Sequence, residues 1–341
     1  LRAAKIDPYP ARSARTHLAQ AVLDNFDRLA GKSVAVAGRL MAKRGHGKLA
    51  FFTLQDGSGK IQLLMKFDSL GESKYRAVKK LDVGDFLEAS GKVFKTQRGE
   101  KSIEVNDFTL LSKSLRPLPE KWHGLQDEEK RYRQRYLDLL INPELRDIFR
   151  RKALFWNAIR NFLSRQGFQE VETPVLETTV GGADANPFVT HHDALDMDAY
   201  LRISMGELWQ KRLMVGGLEK TFEIGRQFRN EGLSPEHLQD YTQMECYWAY
   251  ADYEDMMKLV TDLYREAARQ AFGQTVFKVR GFTIDLAKTW PKIEYVEEII
   301  RQLKIDVLTA SREEIMAKLD ELHEEYEKQL DKWRLVDQLW K

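Results

Sequence analysis

Between Thr221 and Tyr250 the chain gathers Arg229, Glu231, His237, Tyr241 and Glu245 within one short span. A guanidinium is a planar fork of donors that can meet two phosphate oxygens at once. An aromatic ring beside it can cover a purine. A carboxylate on the same face can receive an ammonium group. Together these side chains could hold a nucleotide and a cationic small molecule side by side. They need a rigid support, and the local pattern supplies a strand–loop–strand hairpin. The first arm is Thr221–Asn230. The loop Glu231–Asp240 contains Gly232, Ser234 and Pro235, which are turn residues. The second arm, Tyr241–Tyr250, is rich in aromatics, and alternation sends Tyr241, Gln243, Glu245 and Tyr247 to one face.

A second group of candidates lies nearer the start. Lys43, Arg44 and Lys48 surround Gly45 and Gly47, a basic loop suited to phosphates. Phe51 and Phe52 are adjacent, so a strand sends one to the core and frees the other to stack a base. The elements around them read as a small barrel. Strands are expected at Ser33–Leu40, Leu49–Gln55, Lys60–Lys66, Asp85–Gly91 and Ser102–Val105, with a hairpin turn at Asp56–Gly59 and a short helix at Ser73–Lys80. Five short strands with a helix before the fourth suggest an OB-fold, whose face binds oligonucleotides. One helix, Thr16–Leu29, precedes it, and Arg116–His123 with its two prolines is an extended segment.

The remainder reads as helices around a sheet. A helix is expected from Pro143 to Gln166, stopped by Gly167, then a strand at Glu170–Pro174. After the hairpin come a helix at Glu254–Phe272, a strand-like stretch at Thr275–Leu286 and a charged helix at Ser311–Leu339. The chain is therefore α+β, a five-stranded barrel followed by an antiparallel sheet with helices. The expected divisions are 1–115, a linker at 116–142, and 143–341.

Phe228-Arg-Asn-Glu231, His237 and Tyr241-Thr-Gln-Met-Glu245 resemble motif 2 of the class II aminoacyl-tRNA synthetases, and Gly167-Phe-Gln-Glu-Val-Glu-Thr-Pro-Val-Leu176 resembles motif 1. The stretches Arg116–Gln126, Arg131–Leu139, Gly181-Gly182, Thr190–Asp196 and Tyr200–Ile203 resemble the lysyl-tRNA synthetases in particular. The resemblance runs to about Asp285. It implies that Arg229 binds the ATP α-phosphate and the charge developing on it, with Glu231 and His237 toward the nucleotide and Tyr241 stacking adenine. It implies lysine contacts from Gly182, Glu207, Glu245 and Tyr247. On the barrel it implies anticodon contacts from Arg39, Arg44, Phe51, Gln62 and Glu100. Pro174 matches the motif 1 proline of a homodimer interface. The implied partners are L-lysine, ATP and tRNA(Lys). Ser204-Met-Gly-Glu-Leu208 is one residue longer than the family's spacing, and a β-bulge before Glu207 is expected to absorb it. No match to motif 3 follows, so the chain is expected to be a fragment, with the Mg2+ ligands beyond its end and no metal ligand named within it.

Composition bounds the rest. Through Glu120 there are 22 Lys and Arg against 13 Asp and Glu, and beyond it 32 against 39. That basic front fits a polyanion partner. The single cysteine, Cys246, excludes an internal disulfide and any Cys-based zinc site. A cytoplasmic protein is expected. His191 and His192 are adjacent on a strand and point apart, so they cannot chelate together. No apolar run of about 18 residues marks a membrane span. Three classes stay open: a lysine–tRNA ligase, a non-catalytic RNA-binding relative, and an aspartyl or asparaginyl enzyme. The two acids Glu207 and Glu245 favour a cationic substrate.

Overall fold

The computed structural model describes residues 7–119, 127–232, 234 and 237–340. The chain divides into two compact units, Leu1–Pro143 and Glu144–Lys341.

The first unit begins with α1 (Ala19–Asp24) and α2 (Phe26–Leu29). The single helix expected here breaks at Asn25, whose backbone (φ −104, ψ 24) leaves the helical region. Then come β1 (Ser33–His46), β2 (Leu49–Gln55), β3 (Lys60–Lys66), α3 (Phe67–Val78), β4 (Phe86–Lys95) and β5 (Lys101–Ser112). They close a barrel in the order β1-β2-β3-β5-β4, the expected OB arrangement. Closure requires β1 to serve two neighbours. Its first half pairs with β4 and its second with β2, across a bulge between Leu40 and Ala42. Where strands press together only glycine fits. A Cβ on Gly91 would stand 2.0 Å from the Glu104 carbonyl oxygen, and one on Gly38 would stand 2.5 Å from that of Gln55.

Alternation fills the barrel with Leu40, Phe52, Leu54, Leu63, Met65, Leu87 and Ile103, all fully buried. Each such side chain contributes about 1.5–3 kcal/mol. Asp56 ties the β2–β3 turn to α1. It accepts from Ser58 N at 2.7 Å, Gly59 N at 3.0 Å and Ala19 N at 2.8 Å. Helix α3 starts six residues before the expected Ser73, because Gly71 (φ 75) carries a kink instead of a start. The stretch expected as a linker holds α4 (Glu128–Arg133) and α5 (Arg135–Ile141), pinned by buried Asp138, which accepts from Arg131 at 3.1 Å and Arg135 at 2.7 Å. Residues 120–126, including Trp122 and His123 of the expected extended segment, lie outside the described residues.

The second unit runs α6 (Leu145–Arg165), β6 (Gln169–Glu170), β7 (Leu176–Glu177), β8 (Val189–His192), β9 (Met197–Leu201), α7 (Lys211–Val215), β10 (Lys220–Phe228), β11 (Asp240–Trp248) and α8 (Tyr253–Phe272). Gly167, at φ +83, ends the first helix as expected. The strand expected at Glu170–Pro174 shrinks to β6, which pairs parallel to β10 beside the β10–β11 hairpin. A second small sheet has the order β7-β9-β8. Helices α6 and α8 cover one face of the hairpin. Ile159, Phe162, Leu163, Leu259 and Leu263 pack there against Phe222, with Ile224, Met244, Cys246 and Trp248 at the margin. Cys246 is a packing residue, and burial pushes its thiol up to about 11.

The strand-like stretch after α8 is a hairpin of β12 (Val276–Val279) and β13 (Phe282–Asp285), turning through Arg280 and Gly281 at positive φ. The charged helix expected at Ser311–Leu339 is two, α10 (Arg312–Glu321) and α11 (Lys332–Trp340), parted at His323 (φ 58). They join α9 (Tyr295–Leu303) around a core of their own that includes Ile299, Val307, Ile315, Leu319 and Leu335.

Candidate active site

The register of the hairpin decides what the site contains. Thr221, Glu223, Gly225 and Gln227 stand opposite Tyr247, Glu245, Gln243 and Tyr241. Opposite residues share a face, and the other face is spent on α6 and α8, so all eight turn the other way. The expected alternation of Tyr241, Gln243, Glu245 and Tyr247 holds. Beneath them Arg202 donates to Glu223 at 2.6 Å, with both side chains nearly inaccessible at 3% and 5%. Thr173 Oγ1 donates to the other oxygen of Glu223 at 2.6 Å, and Arg202 Nε donates to the Arg226 carbonyl at 2.9 Å. Buried charges persist only when paired and bonded in this way. Gly225 makes room for the pair, since a Cβ there would stand 2.3 Å from Arg202 Nη2.

At one end of this face lie Arg229 and Tyr241. The Arg229 N–H donates to the Gln239 carbonyl at 2.9 Å, and its Nε to the Ile203 carbonyl at 3.4 Å. Its guanidinium carbon sits 5.6 Å from the Tyr241 ring centroid, within cation–π range. Burial pushes the Tyr241 phenol up against the opposing pull of Arg229, while Glu245 and Glu231 push it further. Glu231 is exposed yet close enough for its charge to be felt there. His237 is exposed, its Nδ1 2.7 Å from Ser234 Oγ. Leu233, Pro235 and Glu236 of the same loop lie outside the described residues.

Farther along the same face, two acids converge. Glu245 is half-buried and accepts from Ser204 Oγ at 3.0 Å and Gln243 Nε2 at 2.9 Å. Glu207 pairs with Lys211 at 2.7 Å. The Tyr247 phenol is pushed up by burial, then by Glu207, with which it shares a hydrogen bond, and by Glu245. Gly182, at φ +92, closes on Glu207 so tightly that a Cβ would stand 2.5 Å from the Glu207 Cβ. Gly182, Glu207, Glu245 and Tyr247 are therefore gathered in one place, as expected. The β-bulge expected before Glu207 is absent. The extra residue lies in a π-helical turn, Gly206–Gln210, that opens α7. This stretch is helical, so an added residue widens a turn there and cannot bulge a ladder. Sequence reasoning missed Ser204, Gly206 and the Arg202–Glu223 pair. The irregular Ser204-Met-Gly206 spacing was the signal for the first two, and nothing in the sequence pointed to the pair.

On the barrel, Phe51 is 37% exposed and Phe52 1%. Phe51 stands opposite Arg44. Gln62 accepts from Ser102 Oγ at 2.8 Å. Glu100 is exposed at a turn whose backbone pairs it with Thr96. Arg39 stacks 4.3 Å above the Phe86 ring, and burial lowers its pKa. The basic loop needs one correction. Lys43 donates to the carbonyls of Val78 at 3.1 Å and Leu81 at 3.0 Å, capping the end of α3. Lys43 is exposed like Arg44 and Lys48, but its ammonium is held by these carbonyls. His191 lies within 3.4 Å of Asp196 and 3.5 Å of Asp198. Pro174 is exposed. Among the described residues no group of three or more His, Cys, Asp or Glu could hold a metal ion, and no helix is long and apolar enough to cross a membrane.

The family described as tRNA synthetases class II (D, K and N) matches residues 127–335. The chain belongs to the class II tRNA synthetases. The family described as an OB-fold nucleic acid binding domain matches residues 34–111, the barrel itself. Among curated relatives, the lysine–tRNA ligase of Moorella thermoacetica is 51% identical over 306 residues, which is 90% of this chain and 62% of the relative. That of Roseiflexus castenholzii is 51% identical over 312 residues, 90% of this chain and 64% of the relative. That of Clostridium botulinum is 46% identical over 327 residues, 95% of this chain and 64% of the relative. The chain thus spans a little over three fifths of the length of these synthetases.

Proposed function

We propose that the whole protein is a lysine–tRNA ligase, which activates L-lysine with ATP and passes it to the terminal adenosine of tRNA(Lys). One observation carries this reading. Glu207, Glu245, Tyr247 and Gly182 are gathered on the same sheet face as the Arg229–Tyr241 pair, where they would receive a cation. Two half-buried carboxylates suit a substrate with two ammonium groups and repel the carboxylate side chain of aspartate. The family profile includes aspartate and asparagine enzymes, so these acids favour lysine within it.

In this scheme Tyr241 stacks adenine and Arg229 meets the α-phosphate. Arg229 neutralises charge as the lysine carboxylate displaces pyrophosphate, and no covalent enzyme nucleophile is required. Glu231 and His237 stand toward the nucleotide. Mg2+ belongs to the family's chemistry, but the described residues provide no ligand cluster for it, so no step is assigned to it. The barrel, residues 1–115 with its leading helices, would read the anticodon through Arg39, Arg44, Phe51, Gln62 and Glu100. Residues 116–142 would connect it to the catalytic part, 143–341. A second copy would meet the exposed Pro174, and the reaction would run in the cytoplasm.

Pyrophosphate exchange by the whole protein with lysine, arginine, ornithine and aspartate tests the assignment. Lysine should be preferred, and equal exchange with aspartate would sink it. Arg229→Ala should abolish exchange while tRNA binding stays near normal. Exchange kept within about tenfold, near 1.4 kcal/mol, would remove Arg229 from the transition state. A non-catalytic RNA-binding role would instead give tRNA binding with no exchange for any amino acid.

A further inference from the structure

Taking the pocket as the ammonium site proposed above, we infer that the π-turn Gly206–Gln210 sets the spacing of its two acids, with Gly206 as the positioning residue. Each of the five residues of the turn is tied to a neighbouring segment. Gly206 is buried, and a Cβ on it would stand 2.1 Å from Glu245 Oε2 and 2.7 Å from Tyr247 Cε2. Its N–H faces Ser204 Oγ at 3.4 Å, the same hydroxyl that donates to Glu245. Glu207 lies against Gly182, and Leu208 stands 3.2 Å from where a Gly181 side chain would begin. The Trp209 indole donates to Glu177. Gln210, fully buried, accepts from Thr221 Oγ1 at 2.9 Å and donates to the Glu245 carbonyl at 3.4 Å.

The φ of Gly206 is not in the left-handed region. What it supplies is the absence of a side chain, into which the Glu245 carboxylate and the Tyr247 ring close. A π-turn bonds i to i+5 and takes one residue more than an α-turn. The added residue is therefore absorbed while Trp209 and Gln210 keep their partners, Glu245 stays on Ser204 and Glu207 stays bonded to Tyr247. Any side chain at 206 must push Glu245 off Ser204 and widen the gap between the acids. Arg229 and Tyr241, at the other end of the face, stay untouched.

The test uses the whole protein, with L-lysine as probe in titration calorimetry and a melting-midpoint cycle beside it. Gly206→Ala should weaken lysine binding at least tenfold. It should also lower the melting midpoint, and lower it less in a Glu245→Ala background, where the methyl group meets no carboxylate. Equal drops in both backgrounds, or lysine affinity within about twofold of the unaltered chain, would overturn the role of Gly206. Absence of lysine binding by the unaltered whole protein would sink the lysine assignment, and the melting cycle would still decide whether Gly206 seats Glu245.

Discussion

β2 in the barrel and β11 in the second unit are both strands of the chain's main sheets, yet they are buried differently. From Ala50 to Leu54 the side chains of β2 alternate between core and a more exposed face, and Phe51 beside Phe52 marks the contrast. In β11 every residue after Asp240 is half-buried. The barrel is closed by apolar side chains and keeps its candidate residue Phe51 on a finished exterior. The second unit places its candidate residues over buried polar pairs, Arg202 with Glu223 and Gln210 with Thr221. A nucleic-acid surface can be laid over an independent core. The candidate small-molecule site is continuous with the interactions that hold its sheet.

The most direct way to break this comparison is Arg202→Met, which leaves Glu223 charged and buried. It should cost about 3–5 kcal/mol in urea unfolding of the second unit, and a loss under about 1 kcal/mol would remove the polar pair from its foundations. Leu63→Ala in the barrel should cost about 2–4 kcal/mol through a cavity. Its unfolding transition should shift while that of the second unit stays in place.

A smaller effect comes from two carboxyls with opposite pH behaviour. Burial alone would raise Asp56, but bonds from Ser58, Ala19 and Gly59 outweigh it and hold the carboxyl below its ordinary 3.8. Native barrel therefore binds fewer protons there than unfolded chain. The stability it contributes is present above that pH and is lost as pH falls further. Glu177 is raised above 4.5 by burial, which outweighs Trp209, Arg202 and Arg212. Native chain then binds more protons there, and its contribution is lost as pH rises past 4.5. Unfolding curves between neutral and acid pH should show Asp56→Asn reducing acid loss in the barrel, and Glu177→Gln flattening the opposite slope in the second unit. The mildest change is Phe51→Ala. It should alter barrel stability by no more than about 0.5 kcal/mol, yet weaken RNA binding by about 1–3 kcal/mol if the ring stacks a base. Filter binding with cognate and anticodon-swapped tRNA reads it.

The hairpin was legible because strict two-residue alternation from Tyr241 to Tyr247 depends on nothing outside it. In the barrel β2 and β3 were legible to the residue, while β1, β4 and β5 came out short. The added ends of β4 and β5 are held by pairing with each other and that of β1 by pairing with β2, which local pattern does not contain. The role of Lys43 was misread, since three basic residues around glycines look alike in sequence and only the approach of the α3 carbonyls separates one of them. The π-turn was read as a bulge because the extra residue was visible while its helical setting was not. Arg202 and Glu223 lie twenty-one positions apart, and no periodicity links them.

Trp209 is placed to report on all of this optically. Its indole is bonded to a buried carboxyl and stacked 4.7 Å from the Arg212 guanidinium, within the same turn that carries Glu207. Indole emission responds to the charges and dipoles beside the ring. Rearrangement of the turn, by a ligand or by protonation of Glu177, would change the colour and intensity of its fluorescence, so the pocket carries its own chromophore without added label.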